Sequence, residues 1–483
     1  MAMSTEENIK TTPDRNRIIF SLKHPLVWLI IASLLVVSLA FLMGLMRVGA
    51  ADDTASYLHA AAKSPIGMLN DVRPIGYPLF LKLIATVSPR FSLLPVFQLL
   101  THLMVVFFLF FSLKKFGASG WQALAVSVGF LLTVLEDPTV SCIMSDFVGR
   151  TLVVATIASL FLLASNKRGL IKWFVFAFFL FVTCIVRPGN LILIALAPLL
   201  GGLFFILSKR ENRKDKAKTH VFMIKVAICA IVPWIVFCGF RWVVVGDFAV
   251  SSFSGYQLSG LSVGLLDRST IETEVSDELK PFAVAVLQER ERQKIPPAVM
   301  GALINLKTLR QNFPKYIGLV AAPQGERLYG RNPVVINRKL KELSTEILKR
   351  HKKLYAVLFI GNLWEDLGGL LRYGLVLQVL LAMGFLLYVG RAVTGATHEK
   401  NPVAIQVKIF GGISLAEENT RVSLIIAAVS FSICTVVVTA LMAPNLGRYS
   451  TAAGILLPSI ASEWIFVQIK SLSNYFKWFP TSW

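Results

Sequence analysis

Charge is what this sequence has least of. Only 16% of its 483 residues are Asp, Glu, Lys or Arg, against 55% hydrophobic residues and a mean hydropathy of +0.65. A soluble globular chain of this length would carry far more charge on its surface, so that class is excluded. Cysteine is also scarce. Cys142, Cys184, Cys229, Cys238 and Cys434 all fall in or beside apolar stretches, and the long hydrophilic segment after residue 240 has none, which rules out a disulfide framework there. The six histidines are scattered and no spacing suits a metal. There is no Gly-rich phosphate loop, no internal repeat and no low-complexity tract.

What the chain does have is long apolar runs. The net charge of +21 points away from nucleic acid, because the basic residues sit in short clusters between those runs, the pattern of cytoplasmic loops in a membrane protein. The fold expected is an all-α polytopic membrane protein of about ten transmembrane helices, with short outer juxtamembrane helices and a sizeable outer loop region. The first span, Leu26–Met46, follows Lys10, Arg15, Arg17 and Lys23. It is too long for a signal-peptide core and lacks a clear cleavage site, so it reads as uncleaved, with its N-terminus in the cytoplasm.

Residues 47–90 are too polar, and too broken by Pro65, Pro74, Pro78 and Pro89, to span cleanly. Two short helices along the outer surface, Thr54–Lys63 and Pro78–Val87, fit better. Further spans are expected at Leu93–Leu113, Trp121–Leu135, Phe147–Ser165, Leu170–Val186, Leu191–Leu207 and Val221–Phe240. After an outer loop from Arg241 to Tyr355 come Leu370–Val389, Val422–Met442 and Tyr449–Val467. The basic clusters Lys114-Lys115, Lys167-Arg168, Lys209–Lys218 and Lys470 then all fall on one side, the inner one. Arg338–Lys353 reads as a basic amphipathic helix lying near the membrane. The organisation expected is an N-terminal transmembrane module, 1–240, containing a first outer loop at about 47–90; an extracytoplasmic loop region, 241–355; and C-terminal transmembrane helices, 356–483.

This threading brings Asp52, Asp53, Asp146, Arg187 and Arg448 to the outer ends of helices or to outer loops. Ionisable groups beside membrane segments are costly and mark candidate functional positions. Acids and arginines on one side suit a phosphate-bearing lipid substrate and a general base. A plainer reading stands beside this one. The aspartates are good helix N-caps, and Arg187, Arg448 and Arg73 have the positions of interfacial anchors that reach for headgroups.

Four short motifs carry a family resemblance. Asp52-Asp53-Thr54-Ala55-Ser56-Tyr57 follows the first span and leads into Arg73-Pro74-Ile75-Gly76-Tyr77-Pro78; Met144-Ser145-Asp146-Phe147 opens a later span; Val186-Arg187-Pro188-Gly189 ends the next; Gly447-Arg448-Tyr449 opens the last. Together these resemble the GT-C class of membrane glycosyltransferases, the superfamily of the aminoarabinose transferases of lipid A and the protein O-mannosyltransferases. The likeness covers mainly the first 200 residues and the final helix. Many relatives carry Asp-Glu where this chain has Asp52-Asp53, so either aspartate fits the catalytic position; the spacing to Tyr57 favours Asp53.

The resemblance implies transfer of a sugar from a polyprenyl-phosphate donor to a lipid, glycan or protein acceptor outside the cytoplasm. Asp53, or Asp52, would be the general base, with Asp146 assisting. Arg187, Arg448 and Arg73 would bind the donor phosphate, and Tyr57, Tyr77 and Tyr449 would position acceptor or loop. No cofactor is implied with certainty, although a divalent metal assists some members. The setting expected is a plasma membrane of the bacterial inner-membrane kind, with both termini cytoplasmic. Membrane lipids and the lipid-linked donor are the partners. Two other functions stand beside it: a transporter or flippase for an anionic lipid or solute, using the same arginines, and a polymerase of lipid-linked glycans, which the large outer loop suits although its arginines would lie mainly in two outer loops.

Overall fold

The computed structural model describes residues 24–165, 169–208, 216–300, 303–371, 374–398, 414–442 and 452–476. The chain is helical, with a single two-residue β-pairing, Val299–Met300 against Leu303–Ile304, among the described residues. Helices α1 (Pro25–Leu42), α5 (Leu94–Phe116), α6 (Gly120–Leu132), α7 (Asp146–Ala164), α8 (Leu170–Val186), α9 (Ile192–Ser208) and α10 (Lys216–Val245) form the first bundle. Six described helices are long and apolar enough to cross a membrane: α1, α5, α7, Pro188–Ser208, α10 and α19 (Leu415–Met442). A seventh span results if the bent pair α17 (Lys352–Leu371) and α18 (Leu375–His398) is taken as one.

The remaining expected spans take shorter or broken forms. Residues 120–136 and 170–186 are apolar helices of sub-span length. The run expected at Leu370–Val389 straddles the 62° bend between α17 and α18. The run expected at Tyr449–Val467 leads into α20 (Leu457–Phe476), whose Glu463 and Lys470 lower its hydropathy.

At the centre stands α7, in which almost every residue is buried. Its small and hydroxyl-bearing residues, Gly149, Thr151, Ala155, Thr156, Ala158 and Ser159, let α5, α8 and α9 approach closely. Thr156 and Thr183 of α8 share a 3.0 Å hydrogen bond across this seam. Such bonds satisfy polar side chains where water is absent.

Consecutive helices from α5 to α10 alternate in direction along the chain, and the basic helix ends fall together. The C-terminus of α5 with Lys114 and Lys115 lies beside the N-termini of α6 and α19, and Gly117 approaches Ala416. Lys172 of α8 donates to Ser165 at 2.8 Å, and Ser208 at the end of α9 donates to the Ala164 carbonyl. This basic end also holds a buried charge cluster. Lys470 pairs with Glu417 at 3.0 Å, Arg421 with Glu463 at 3.1 Å, and Gln122 donates to Glu463 at 3.1 Å and to the Glu417 carbonyl at 2.9 Å. The cluster ties α6, α19 and α20 together.

At the opposite end, α2 (Thr54–Ala62), α3 (Pro65–Leu69) and α4 (Gly76–Val87) cap the bundle. α2 and α4 form where two surface helices were expected. Residues 254–350 build a helical unit with a core of its own, from α11 (Ser254–Leu265), α12 (Arg268–Thr273), α13 (Lys280–Arg292), α14 (Leu306–Lys315), α15 (Ala322–Tyr329) and α16 (Pro333–Arg350). The basic amphipathic helix read at Arg338–Lys353 therefore has a different partner from the one expected. Its apolar face, including Leu340, Leu343 and Ile347, packs into this core against α11. Amphipathicity reports that a face is buried, and here protein buries it. Close packing leaves no room at Gly255, where a Cβ would sit 1.9 Å from the Asn337 carbonyl oxygen.

Candidate functional site

The site is built on three segments that converge at the end of the bundle opposite the basic cluster. After α1 the chain pairs with the segment before α7: Gly49 N donates to the Ser141 carbonyl at 2.8 Å and Ile143 N to the Gly49 carbonyl at 3.3 Å. Thr54 then fastens the start of α2, its hydroxyl donating to the Ile143 carbonyl at 3.2 Å while accepting from Ala51 N at 2.8 Å. α2 is thus laid across the N-terminus of α7.

Asp53 occupies the N-cap position of α2 but makes no side-chain capping bond. Its carboxylate instead takes a 2.6 Å bond from Arg73 Nη2. The Arg73 Nε donates to Ser56 Oγ at 2.8 Å, and Ser56 donates to the Asp53 carbonyl at 2.7 Å, closing a small ring. The reach of Arg73 is set by Asp71, which accepts from the Arg73 backbone N–H at 3.0 Å and pairs with Lys63 at 2.6 Å. Asp52, by contrast, is exposed. Of the two candidate bases, Asp53 is the one held by other side chains.

The Arg73 guanidinium lies 4.6 Å from the Tyr57 ring centroid, within cation–π range. Tyr57 is buried beneath it, edge-on to Tyr77 at 5.0 Å. Its hydroxyl shares a 2.7 Å hydrogen bond with Ser145 Oγ. Burial pushes the Tyr57 phenol above its ordinary pKa, against the pull of Arg73 and the Ser145 bond. It is therefore a neutral hydroxyl at physiological pH. Tyr77 has no exposed surface and belongs to the packing below.

Ser145 precedes Asp146 at the start of α7, and the Asp146 carboxylate is ion-paired with Arg187, at the C-cap of α8. Both side chains are largely shielded, with 7% and 13% of their surface exposed. Arg187 fits because α7 carries Gly149 opposite it; a Cβ there would lie 3.1 Å from Arg187 Cβ and 3.2 Å from Arg187 Cδ. Ion-pair, cation–π and hydrogen-bond contacts link Asp53, Arg73, Tyr57 and Ser145, and the chain step from Ser145 to Asp146 carries the series on to Arg187. Residues separated by more than 130 positions are joined in one constellation.

No family model, characterised protein or solved structure matches this chain.

Arg448 and Tyr449 lie outside the described residues, as do Lys10, Arg15, Arg17, Lys23, Lys167, Arg168 and the run from Lys209 to Lys214. The described residues bring no group of three His, Cys, Asp or Glu side chains together. The Asp53 carboxylate is engaged by a guanidinium, so the donor set for a protein-held divalent ion is not assembled among them.

Several participants escaped the sequence reading. Ser145 and Ser56 appeared only as members of motifs, with no role of their own. Beneath the site, Arg150 pairs with Asp137, and its Nη2 donates to Thr139 Oγ1 at 2.6 Å while Nε reaches the Asp146 carbonyl at 3.2 Å. An arginine one turn inside an apolar span was the available signal, because such a charge requires a buried counter-ion. Its partner could not be named from the sequence alone.

Proposed function

We propose that this protein is an integral membrane glycosyltransferase of GT-C type. It moves a sugar from a polyprenyl-phosphate donor to an acceptor hydroxyl on the extracytoplasmic side. The observation that supports this most is the convergence of the Asp53–Arg73 pair, the Tyr57–Ser145 hydrogen bond and the Asp146–Arg187 pair, which brings three of the motifs carrying the resemblance together.

In this reading the basic end faces the cytoplasm, both termini lie on that side, and about ten helical passes thread a plasma membrane, some completed by the shorter apolar helices. The donor's lipid tail remains in the bilayer while its phosphate meets the arginines. Arg73 and Arg187 each already hold a carboxylate, so a phosphate entering between them exchanges one anion for another and leaves Asp53 available as base. The acceptor oxygen forms its bond to the anomeric carbon as the bond from that carbon to the phosphate oxygen breaks. Asp53 takes the hydroxyl proton, and Arg187 with Arg73 stabilises the departing phosphate. Tyr57, neutral and fixed by Ser145, lends Arg73 its ring. A single displacement of this kind inverts the anomeric configuration.

The test is transfer from a polyprenyl-phosphate sugar by purified protein in proteoliposomes. Asp53→Asn is expected to insert normally and to lower transfer by about a hundredfold or more, while Asp52→Asn keeps most of it. Full transfer by Asp53→Asn would remove Asp53 from the role of base. Flux of donor with no covalent product would replace the transferase with a transporter.

A further inference from the structure

The Arg73 guanidinium carbon lies close to two aromatic rings. One is Tyr57, on α2, with its centroid at 4.6 Å; the other is Phe253, with its centroid at 5.5 Å. Phe253 is the N-cap residue of α11, the first helix of the separate unit formed by residues 254–350, and it stacks on Tyr256 of that helix at 6.3 Å with an interplanar angle of 15°.

Phe253 is itself firmly placed. The chain leaves α10 and turns back through residues 246–252, and Arg241, 1% exposed, organises that turn. Its Nη1 donates to Asp247 Oδ2 at 2.7 Å and to the Ala249 carbonyl at 3.1 Å. Its Nη2 bonds Ser252 Oγ, and its Nε donates to the Leu69 carbonyl at 3.0 Å, at the end of α3. One buried guanidinium therefore fixes the linker to the same segment, residues 69–73, that delivers Arg73. Asn337 of α16 completes the anchorage from the other side, accepting from Gly255 N at 2.7 Å.

We propose that Phe253 is a positioning residue for the candidate site, holding the Arg73 guanidinium against Tyr57 so that the seat of the 254–350 unit sets the geometry of the Asp53–Arg73 pair. A long arginine side chain spanning two elements samples many rotamers unless its plane is confined. Two aromatic rings confine it and attract its charge without competing for its hydrogen bonds. Those bonds stay directed at Asp53 and Ser56. Movement of the 254–350 unit relative to the bundle withdraws one ring and frees the arginine, which couples that unit to the site.

The exchange experiment below stands without the proposed function, and only its kinetic companion rests on that reading. Full-length protein in lipid nanodiscs is compared as wild type, Phe253→Ala, Phe253→Leu, Phe253→Tyr and Phe253→Trp by amide hydrogen exchange. Phe253→Ala and Phe253→Leu are expected to raise exchange about tenfold in residues 53–58 and 71–73, with α7 unchanged, while the Tyr and Trp variants match wild type. Leucine keeps apolar bulk without a ring, so wild-type behaviour by Phe253→Leu would overturn the proposal. So would a rise spread evenly over the bundle, or none at residues 71–73. In the transfer assay, Phe253→Ala should lower kcat about tenfold with KM within about twofold, and Trp should restore it. An equal loss in Ala and Trp would overturn the role. If wild-type protein transfers nothing, the proposed reaction fails, and the exchange result still decides the role of Phe253.

Discussion

The Tyr57 hydroxyl lies 2.7 Å from the Ser145 hydroxyl, joining two residues 88 positions apart at the point where α2 crosses the start of α7. Both groups are buried, so the bond has no water to replace it. It is also the only step in the Asp53-to-Arg187 series that uses two neutral hydroxyls.

That bond gives the first prediction. Tyr57→Phe leaves Ser145 without this partner and should destabilise the protein by about 1–2 kcal/mol, as should Ser145→Ala. The double variant is expected to lose less than the sum, with a coupling of about 1 kcal/mol. Denaturation of the purified protein in a fixed detergent measures this. Strictly additive losses would mean that the two hydroxyls do not share a bond.

Gly149 sets two effects against each other. Replacing a helical glycine by alanine favours the helix by about 1 kcal/mol. The new Cβ, however, would press on Arg187 at 3.1–3.2 Å and displace its pairing with Asp146. Gly149→Ala is therefore expected to leave thermal stability near that of wild type and still to lower transfer several-fold. Gly149→Val, larger and β-branched, should lose both. Unchanged transfer in Gly149→Ala would show that Arg187 tolerates displacement.

The unit formed by residues 254–350 should respond to mild acid. His351, at the end of α16, shares a 3.0 Å hydrogen bond with Thr270. Burial holds its pKa below the ordinary 6.5, with Asp267 and Glu274 opposing and Arg350 assisting. Because the folded form disfavours the proton, the unfolded chain binds more protons once the pH falls below about 6.5. The stability contributed by neutral His351 is present above that value and declines below it, until the folded pKa is reached. After correction for the intrinsic amide exchange rate at each pH, α12 and α16 should be less protected at pH 5.5 than at pH 7, and His351→Gln should remove most of that difference. An equal loss of protection in the variant would place the sensitivity elsewhere.

How much could be seen in advance follows from the kind of signal each feature leaves. Apolar runs are local, so α7 and α8 appear within a residue of the expected 147–165 and 170–186. The surface helices around Tyr57 and Tyr77 were legible because prolines and charges forbade a span there. The 254–350 unit was not, because its helices are mixed in polarity and find their core only by packing on each other, as α16 does on α11. Among the site residues, the sequence placed Asp53, Tyr57, Asp146 and Arg187 together without saying how they connect. It offered Arg73 as a cation for phosphate, and the structure gives that cation to Asp53. A pairing between residues 20 apart across a proline-broken segment leaves no periodic trace.

The charge cluster at the basic end has a consequence for how the protein is made. On the proposed threading, α20 enters the bilayer carrying Glu463, and a charge inside a membrane helix costs on the order of a few kcal/mol when it stands alone. The partners that offset this cost, Gln122 and Arg421, belong to helices synthesised earlier. α20 is thus poorly suited to insert by its own hydrophobicity. It is better suited to insert against a bundle already standing, and its docking becomes a check on the assembly of the helices before it.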